Sequence, residues 1–248
     1  GLMARSMINV LRTDLGFETT NLQRIRVVLR GRNYPDEAAL QRFYLTLPDQ
    51  LAPFSDIPIA FEEWPPFAET PQSIVHTETA QNAGRAGTIA VGAGYFAMLK
   101  IPVQQGRQFL TTDRAGTEPV VIISATLARR LWPDGHALGQ RLRVQDAATM
   151  EMRDWRTIVG IAADARTSYG DSDLNDVYLP SLQNHPDRFA AFYLRTSRPV
   201  ASWLPDLRAA VARLDREAVV NDPVGVVDED RERSTARFLA TLLSAFAG

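Results

Sequence analysis

The side chains in this sequence that could do chemistry are few and widely spaced. His76, His136 and His185 are its only histidines. No two of them stand in an i, i+4 relation, and no H-E-x-x-H or His-x-His run occurs, so local spacing offers no zinc site. Each reads as a surface or loop histidine. The chain has no cysteine, which removes disulfides, zinc thiolates, iron–sulfur clusters and thiol nucleophiles together. Asp171, Asp173 and Asn175 imitate positions one, three and five of a calcium loop. Position six, where glycine belongs, is Asp176, and position twelve, where glutamate belongs, is Leu182, so the run reads as a solvated acidic turn. Gly92-Ala93-Gly94 stands before a helix starting at Tyr95, as a phosphate-binding turn would, but lacks the third glycine. Neither G-x-S-x-G nor G-x-x-x-x-G-K-[ST] is present. If the chain serves an ATP-driven process, the ATPase sits on another domain or another polypeptide. Arg107 either clamps an anion or pairs with a nearby carboxylate such as Asp113, and the pairing is favoured. Trp64, Phe67, Trp132, Trp155 and Trp203 lie in patterned segments or beside prolines, where packing explains aromatics better than sugar or lipid binding does. No set of residues fills nucleophile, base and oxyanion roles together. The expected outcome is no catalytic, cofactor-binding or metal-binding residue, and no enzyme.

The composition agrees with a scaffold. A chain of 248 residues with 45% hydrophobic and 23% charged residues is an ordinary globular protein, large enough for one big domain or two modest ones. A formal net charge of -2 gives no bulk attraction to nucleic acid, and no basic stripe with interleaved aromatics appears. No run reaches the ~18 apolar residues a membrane helix needs.

The elements that position these residues read as α+β. Leu22 to Arg30 is a strand. Asp36 opens a helix with Leu40, Phe43, Tyr44, Leu47 and Leu51 on one face, which Pro48 should end or kink. Ile57 to Phe61 is a second strand, and Pro65-Pro66 with Pro71 marks a crossing into another part of the fold. Thr88 to Val91 and Val120 to Ile123 are strands, the latter buried on both faces. Tyr95 to Lys100 is a short helix. Ser124 caps a second one, Ala125 to Trp132, stopped by Pro133. Asp146 to Asp154 is a hairpin loop leading to the strand Thr157 to Ala162. Val177 to Pro180 and Ala190 to Thr196 are strands. Val200 to Asp215 is a helix with Ser202 as its N-cap, and Val219 to Val227 a last strand. A strand–helix–strand unit near one end is thus echoed at the other, with a different segment between them.

In order and spacing, one stretch carries a family resemblance. It contains Tyr95-Phe96, Gly106-Arg107-Gln108-Phe109, Asp113, Val120-Val121-Ile122-Ile123-Ser124 and Leu127-Ala128-Arg129-Arg130-Leu131-Trp132-Pro133, followed by Leu138-Gly139-Gln140-Arg141-Leu142 and Trp155-Arg156-Thr157-Ile158-Val159-Gly160-Ile161. Leu15-Gly16-Phe17 and Arg32-Asn33-Tyr34-Pro35 add to it. Together they resemble the extracytoplasmic core domain of MacB/FtsX-like ABC transporter permeases, closest to the duplicated orphan permeases.

The resemblance implies two lobes: a porter-like lobe of paired strand–helix–strand units with an inserted, mostly β sabre-like lobe. Residues 1–19 would be a stalk end after a first transmembrane helix, 20–69 and 170–230 the two parts of the porter-like lobe, and 70–169 the sabre-like lobe. Residues 231–248 would be a stalk leading to a second membrane helix. Two local patterns support stalks: Met3, Met7, Leu11 and Leu15 recur on one helical face, and Phe238 to Gly248 is uncharged. Both ends should then lie on one side of the domain.

The implied function is that of a non-catalytic periplasmic domain in a bacterial inner-membrane permease, coupling ATP-driven stalk movement to export or to a partner. Implied partners are a cognate ATPase subunit or domain reached through the membrane part, a periplasmic adaptor protein, and a second copy in a homodimer. No nucleic acid, metal or cofactor is expected. The alternative is a ligand-binding or sensing module, with a peptide, lipid or small amphiphile held between the lobes.

Overall fold

The computed structural model describes residues 16–56, 59–62, 70–166, 174–184 and 188–226. The expectations for Leu11 and Phe238, Pro65-Pro66, Trp64, Phe67, His185 and Asp171 to Asp173 lie outside the described residues.

Strand β1 (Leu22–Val28) pairs antiparallel with β10 (Phe189–Arg195) over its whole length, Leu22 opposite Arg195 and Val28 opposite Phe189. The two ends of the chain therefore build one sheet. It is completed by β2 (Ala60–Glu62) beside β10 and by β11 (Val219–Val220) and β12 (Val224–Gly225) on the far edge of β1. Alternation decides its faces. Ile25, Val27, Phe61, Phe192 and Leu194 point to one side, where helices α1 (Glu37–Leu51) and α4 (Leu204–Leu214) cover them. Leu22, Ala60 and Tyr193 point to the other, into a second core.

Helix α1 starts where the sequence predicts, with the Asp36 carboxylate accepting the Ala39 N–H at 2.8 Å. Pro48 does not end it. Proline inside a helix costs about 3 kcal/mol, but Leu47 and Leu51 are 0% and 1% exposed. Burying each contributes about 1.5–3 kcal/mol, enough to carry the helix one turn further. Ser202 is not the N-cap of α4. Its hydroxyl donates to the Pro199 carbonyl at 2.7 Å within a 3₁₀ turn, and Trp203, 1% exposed, takes the cap position without a side-chain bond. Packing of the indole overrides capping chemistry there. The single last strand splits into β11 and β12 because Asn221-Asp222-Pro223 intervenes, and proline cannot donate to a ladder.

The middle of the chain forms β3 (Gln72–Thr77), β4 (Arg85–Val91), β5 (Val103–Gly106), β6 (Val120–Ser124), β7 (Arg141–Asp146), β8 (Arg156–Ala162) and β9 (Asp176–Pro180), with α2 (Tyr95–Leu99) and α3 (Ala125–Leu131). Pairing runs β4-β3-β7-β8-β6-β9, and β9 returns to β4 in parallel register, Thr88 opposite Val177. These six strands close into a barrel, which leaves them no free edge. Val75, Val121, Ile123, Leu142, Val144, Ile158, Val177 and Leu179 fill it. The alternate residues Val120, Ile122 and Tyr178 face outward, onto α2 and the second core. Strand β9, placed by the sequence with the C-terminal part after residue 170, belongs by its pairing to the barrel. Among the described residues the strand pairing between barrel and end-built sheet is one residue pair, Glu62 opposite Val91.

Candidate functional site

Several of the residues singled out for chemistry, among those described, hold the fold together. Arg107 binds Asp113 through two parallel bonds of 2.7 and 3.0 Å, and the Asp113 carboxylate also accepts the Leu110 N–H at 2.8 Å. Asp113 is buried. The bond to Asp113 raises the Arg107 pKa. With both terminal nitrogens engaged, Arg107 staples its own loop, as the pairing reading has it. His76, expected at the surface or in a loop, is instead buried in β3, where its Nδ1 accepts the Asn82 N–H of the β3–β4 turn (3.2 Å), while His136 lies exposed beside Asp134. Among the described residues no three His, Cys, Asp or Glu gather as metal ligands would. Gly92 is glycine for a packing reason: a Cβ there would come within 2.5 Å of the Phe61 ring. Gly94 takes a left-handed φ of 86° ahead of a helix of five residues. Of the calcium-like run, Asp176 is buried in β9 and Leu182 in the core. Trp155 stacks against the Arg143 guanidinium, 4.8 Å from its ring centre. Trp203 donates its indole N–H to the Arg198 carbonyl at 3.2 Å.

Two polar groupings that the sequence did not reveal lie where the end-built sheet meets the barrel. The first centres on Arg195, the last residue of β10, 8% exposed. Its guanidinium donates to the carbonyls of Met98 (2.6 Å) and Glu18 (2.9 Å) and to that of Thr20. Burial lowers its pKa, and among the described residues its nearest carboxylate is Glu18 at 3.8 Å. One side chain thus ties the chain's incoming segment, residues 18–20, to β10 and to α2 of the middle segment. The same segment is held again by the Glu18 N–H bond to Leu99 (2.9 Å) and by Lys100, whose bond to the Glu18 carboxylate lowers that group's pKa. Gly16 lies so close to the Asp164 carbonyl that a Cβ would stand 2.4 Å from it.

The second grouping is Glu62 on β2, 2% exposed, whose carboxyl accepts the Tyr193 hydroxyl at 2.7 Å. Tyr95, at the start of α2, and Arg24 on β1 act on it from two further elements. Burial pushes the Glu62 carboxyl up to about 8, against the opposing pull of the Tyr193 hydroxyl and the Arg24 charge. Tyr193 is itself raised well above its ordinary range by burial and by Glu62, so its hydroxyl stays protonated and donates. Around these groups the interface is filled: Tyr95, Met98, Leu99 and Tyr178 are 0% exposed. An open cleft of about 350 Å3 lies elsewhere, between α1 and the end of α4, with Tyr34, Arg42 and Asp215 on its wall. The Tyr34 hydroxyl donates to Asp215 across it at 3.0 Å. No helix among the described residues is long and apolar enough to cross a membrane.

The family model of the MacB-like periplasmic core domain matches residues 5–218. The chain belongs to that family. As a MacB-like domain it shares its fold with the periplasmic region of MacB from Actinobacillus actinomycetemcomitans. The TM-score is 0.51 over 92% of this chain and 98% of that one, at 13% identity. A domain of a putative permease from Porphyromonas gingivalis is 18% identical, with a TM-score of 0.48 over 84% of this chain and 92% of that one. The extracellular domain of the noncanonic ABC-type transporter YknZ from Gram-positive bacteria is 14% identical, with a TM-score of 0.46 over 77% and 91%. Comparison with curated proteins finds no match. The MacB-like domain is thus the periplasmic part of an ABC transporter permease, and both groupings join the two parts of this MacB-like fold.

Proposed function

We propose that this MacB-like domain does no bond chemistry and passes ATP-driven movement of stalk helices in the inner membrane to a periplasmic partner. The observation that carries the reading is the Arg195 clamp. A pull arriving through residues 16–20 meets hydrogen bonds to β10 and α2 at once, so it acts on the end-built sheet and on the barrel together. The filled interface supports the same reading, since close-packed interiors transmit displacement with little compression. In this account 20–69 and the part of the chain after β9 form a porter-like lobe, and the barrel is the sabre-like lobe. Residues 1–19 and 231–248 continue into membrane helices, the permease works as a homodimer with its own ATPase, and an adaptor docks in the periplasm. The likeness to the duplicated orphan permeases belongs to the same proposal.

The purified domain is expected to release no phosphate from ATP and to show no stoichiometric heat of binding with calcium or zinc at micromolar concentration. Calorimetric titration beside a phosphate-release assay checks this. A tight one-to-one metal site would contradict the non-catalytic reading and point to a metallohydrolase.

A further inference from the structure

Glu62 occupies an unusual place. Among the described residues its backbone makes the one strand pairing between the end-built sheet and the barrel, and the neighbouring Gly92 N–H donates to the Phe61 carbonyl at 2.8 Å across the same gap. Its side chain lies on the sheet face that the second core covers, 2% exposed. The titratable and charged groups facing it come from each element packed there: Tyr193 from β10, Arg24 from β1 and Tyr95 from α2. Tyr178 of β9 stands behind Tyr95, ring centres 6.3 Å apart. Its strand partners on either side, Ala191 and Val91, bring nothing titratable.

An ionised carboxylate buried in such a layer needs several donors or a close cation to offset the lost hydration. A neutral carboxyl needs far less. We propose that the seam between barrel and end-built sheet is a proton-operated latch, closed while the Glu62 carboxyl is neutral and loosened when its proton leaves to solvent. Opening admits water to the carboxylate and breaks the Glu62–Val91 pairing while leaving the closed barrel intact. The latch is a property of the fold and stands apart from the transport reading.

The sign follows from linkage. The closed state holds the proton to about pH 8, whereas an exposed glutamate releases it near 4.5. The seam's extra stability is therefore complete below about pH 4.5 and is lost as pH rises through 8. Within that window one proton changes the opening equilibrium by about tenfold per pH unit.

Amide hydrogen exchange between pH 6 and 8, corrected for intrinsic exchange, reads this directly. Protection at Gly92, whose N–H donates to the Phe61 carbonyl across the seam, is expected to fall by about fiftyfold, while Ile123 inside the barrel keeps its protection. In Glu62→Gln, which stays neutral, the seam amides should show no such fall. Equal slopes in the two proteins, or parallel loss at Ile123, would overturn the latch. Titration of the Glu62 carboxyl carbon by NMR in the unmutated domain decides the matter even if the variant folds poorly. A midpoint well above the carboxylate range is expected, and a further rise in Tyr193→Phe, which removes the donor that favours ionisation. A midpoint below 5 would contradict the proposal.

Discussion

Replacing Arg195 with methionine is expected to lower the stability of the domain by about 3–5 kcal/mol and to free residues 16–20 from the barrel. Methionine refills much of the volume, so the loss comes from hydrogen bonding. Three carbonyls lose a charged donor. That of Met98 is buried, and a buried acceptor left without a partner costs about 1–3 kcal/mol. Those of Glu18 and Thr20 lie nearer solvent and each lose a charged hydrogen bond worth at most about 1.5–3 kcal/mol. The clamp is multivalent because a guanidinium has five donors in a fixed fork, whereas an ammonium acts as a point. Arg195→Lys should therefore recover only part of the loss. Urea denaturation gives the total. Hydrogen exchange at Glu18, whose N–H bonds Leu99, locates it. A loss below about 1 kcal/mol with unchanged protection at Glu18 would mean the clamp does not hold the incoming segment.

The second large effect is expected at Gly106. This residue opens the Gly106-Arg107-Gln108-Phe109 motif and takes a φ of 75°, where a side chain costs about 1–2 kcal/mol. A Cβ there would stand 2.1 Å from the Val159 carbonyl oxygen, a backbone atom that cannot swing aside. Its strand partner Gly160 is the reverse case, with a Cβ only 2.4 Å from the Arg107 carbonyl. The two glycines let β5 and β8 approach more closely than side chains permit. Gly106→Ala should cost about 3 kcal/mol or more, strain and overlap together, and detach β5 with the loop that Arg107 and Asp113 brace. Thermal unfolding measures the cost. A change in melting temperature of less than a few degrees would show that the strand can retreat.

That motif shows how much of the fold could be read in advance. Its glycine answers to the close approach, its arginine to Asp113, and Phe109 to the second core, where it is 3% exposed. The strands β1, β6, β8 and β10 and the helices α1 and α3 were legible for a similar reason: each carries its own periodicity or cap. Strand β3 was not, since Gln72-Ser73-Ile74-Val75-His76-Thr77 is half polar and gains its status from pairing with β7 along Ser73 to Thr77. Arg85-Ala86-Gly87, ahead of the strand predicted from Thr88, is strand as well, by pairing with β3. Strand β9 read as part of the C-terminal unit because nothing local records its parallel pairing with β4. The junction was least legible. Arg195 ends a strand whose last residues look solvated, and Glu62 is the first of two adjacent glutamates shortly before Pro65-Pro66. Only their neighbours from distant parts of the chain make them buried. One signal was available: Glu62 alternates in register with Ala60, a position that turns to the same face as Tyr193.

The account stands or falls on whether the domain moves as one body when the permease works. The domain has no cysteine, so thiols introduced at the exposed positions Ala148, at the β7–β8 hairpin, and Ala209, on α4, give its only labelling sites, once any cysteine elsewhere in the permease and its ATPase is replaced. The decisive measurement is the label-to-label distance in the full-length permease with its ATPase, at pH 7, with and without ATP. The distance between Ala148→Cys and Ala209→Cys within one copy should stay constant, while the distance between Ala148→Cys labels on two copies changes with nucleotide. An ATP-dependent change within one copy, or none between copies, would contradict the transmission of movement through a clamped, rigid domain.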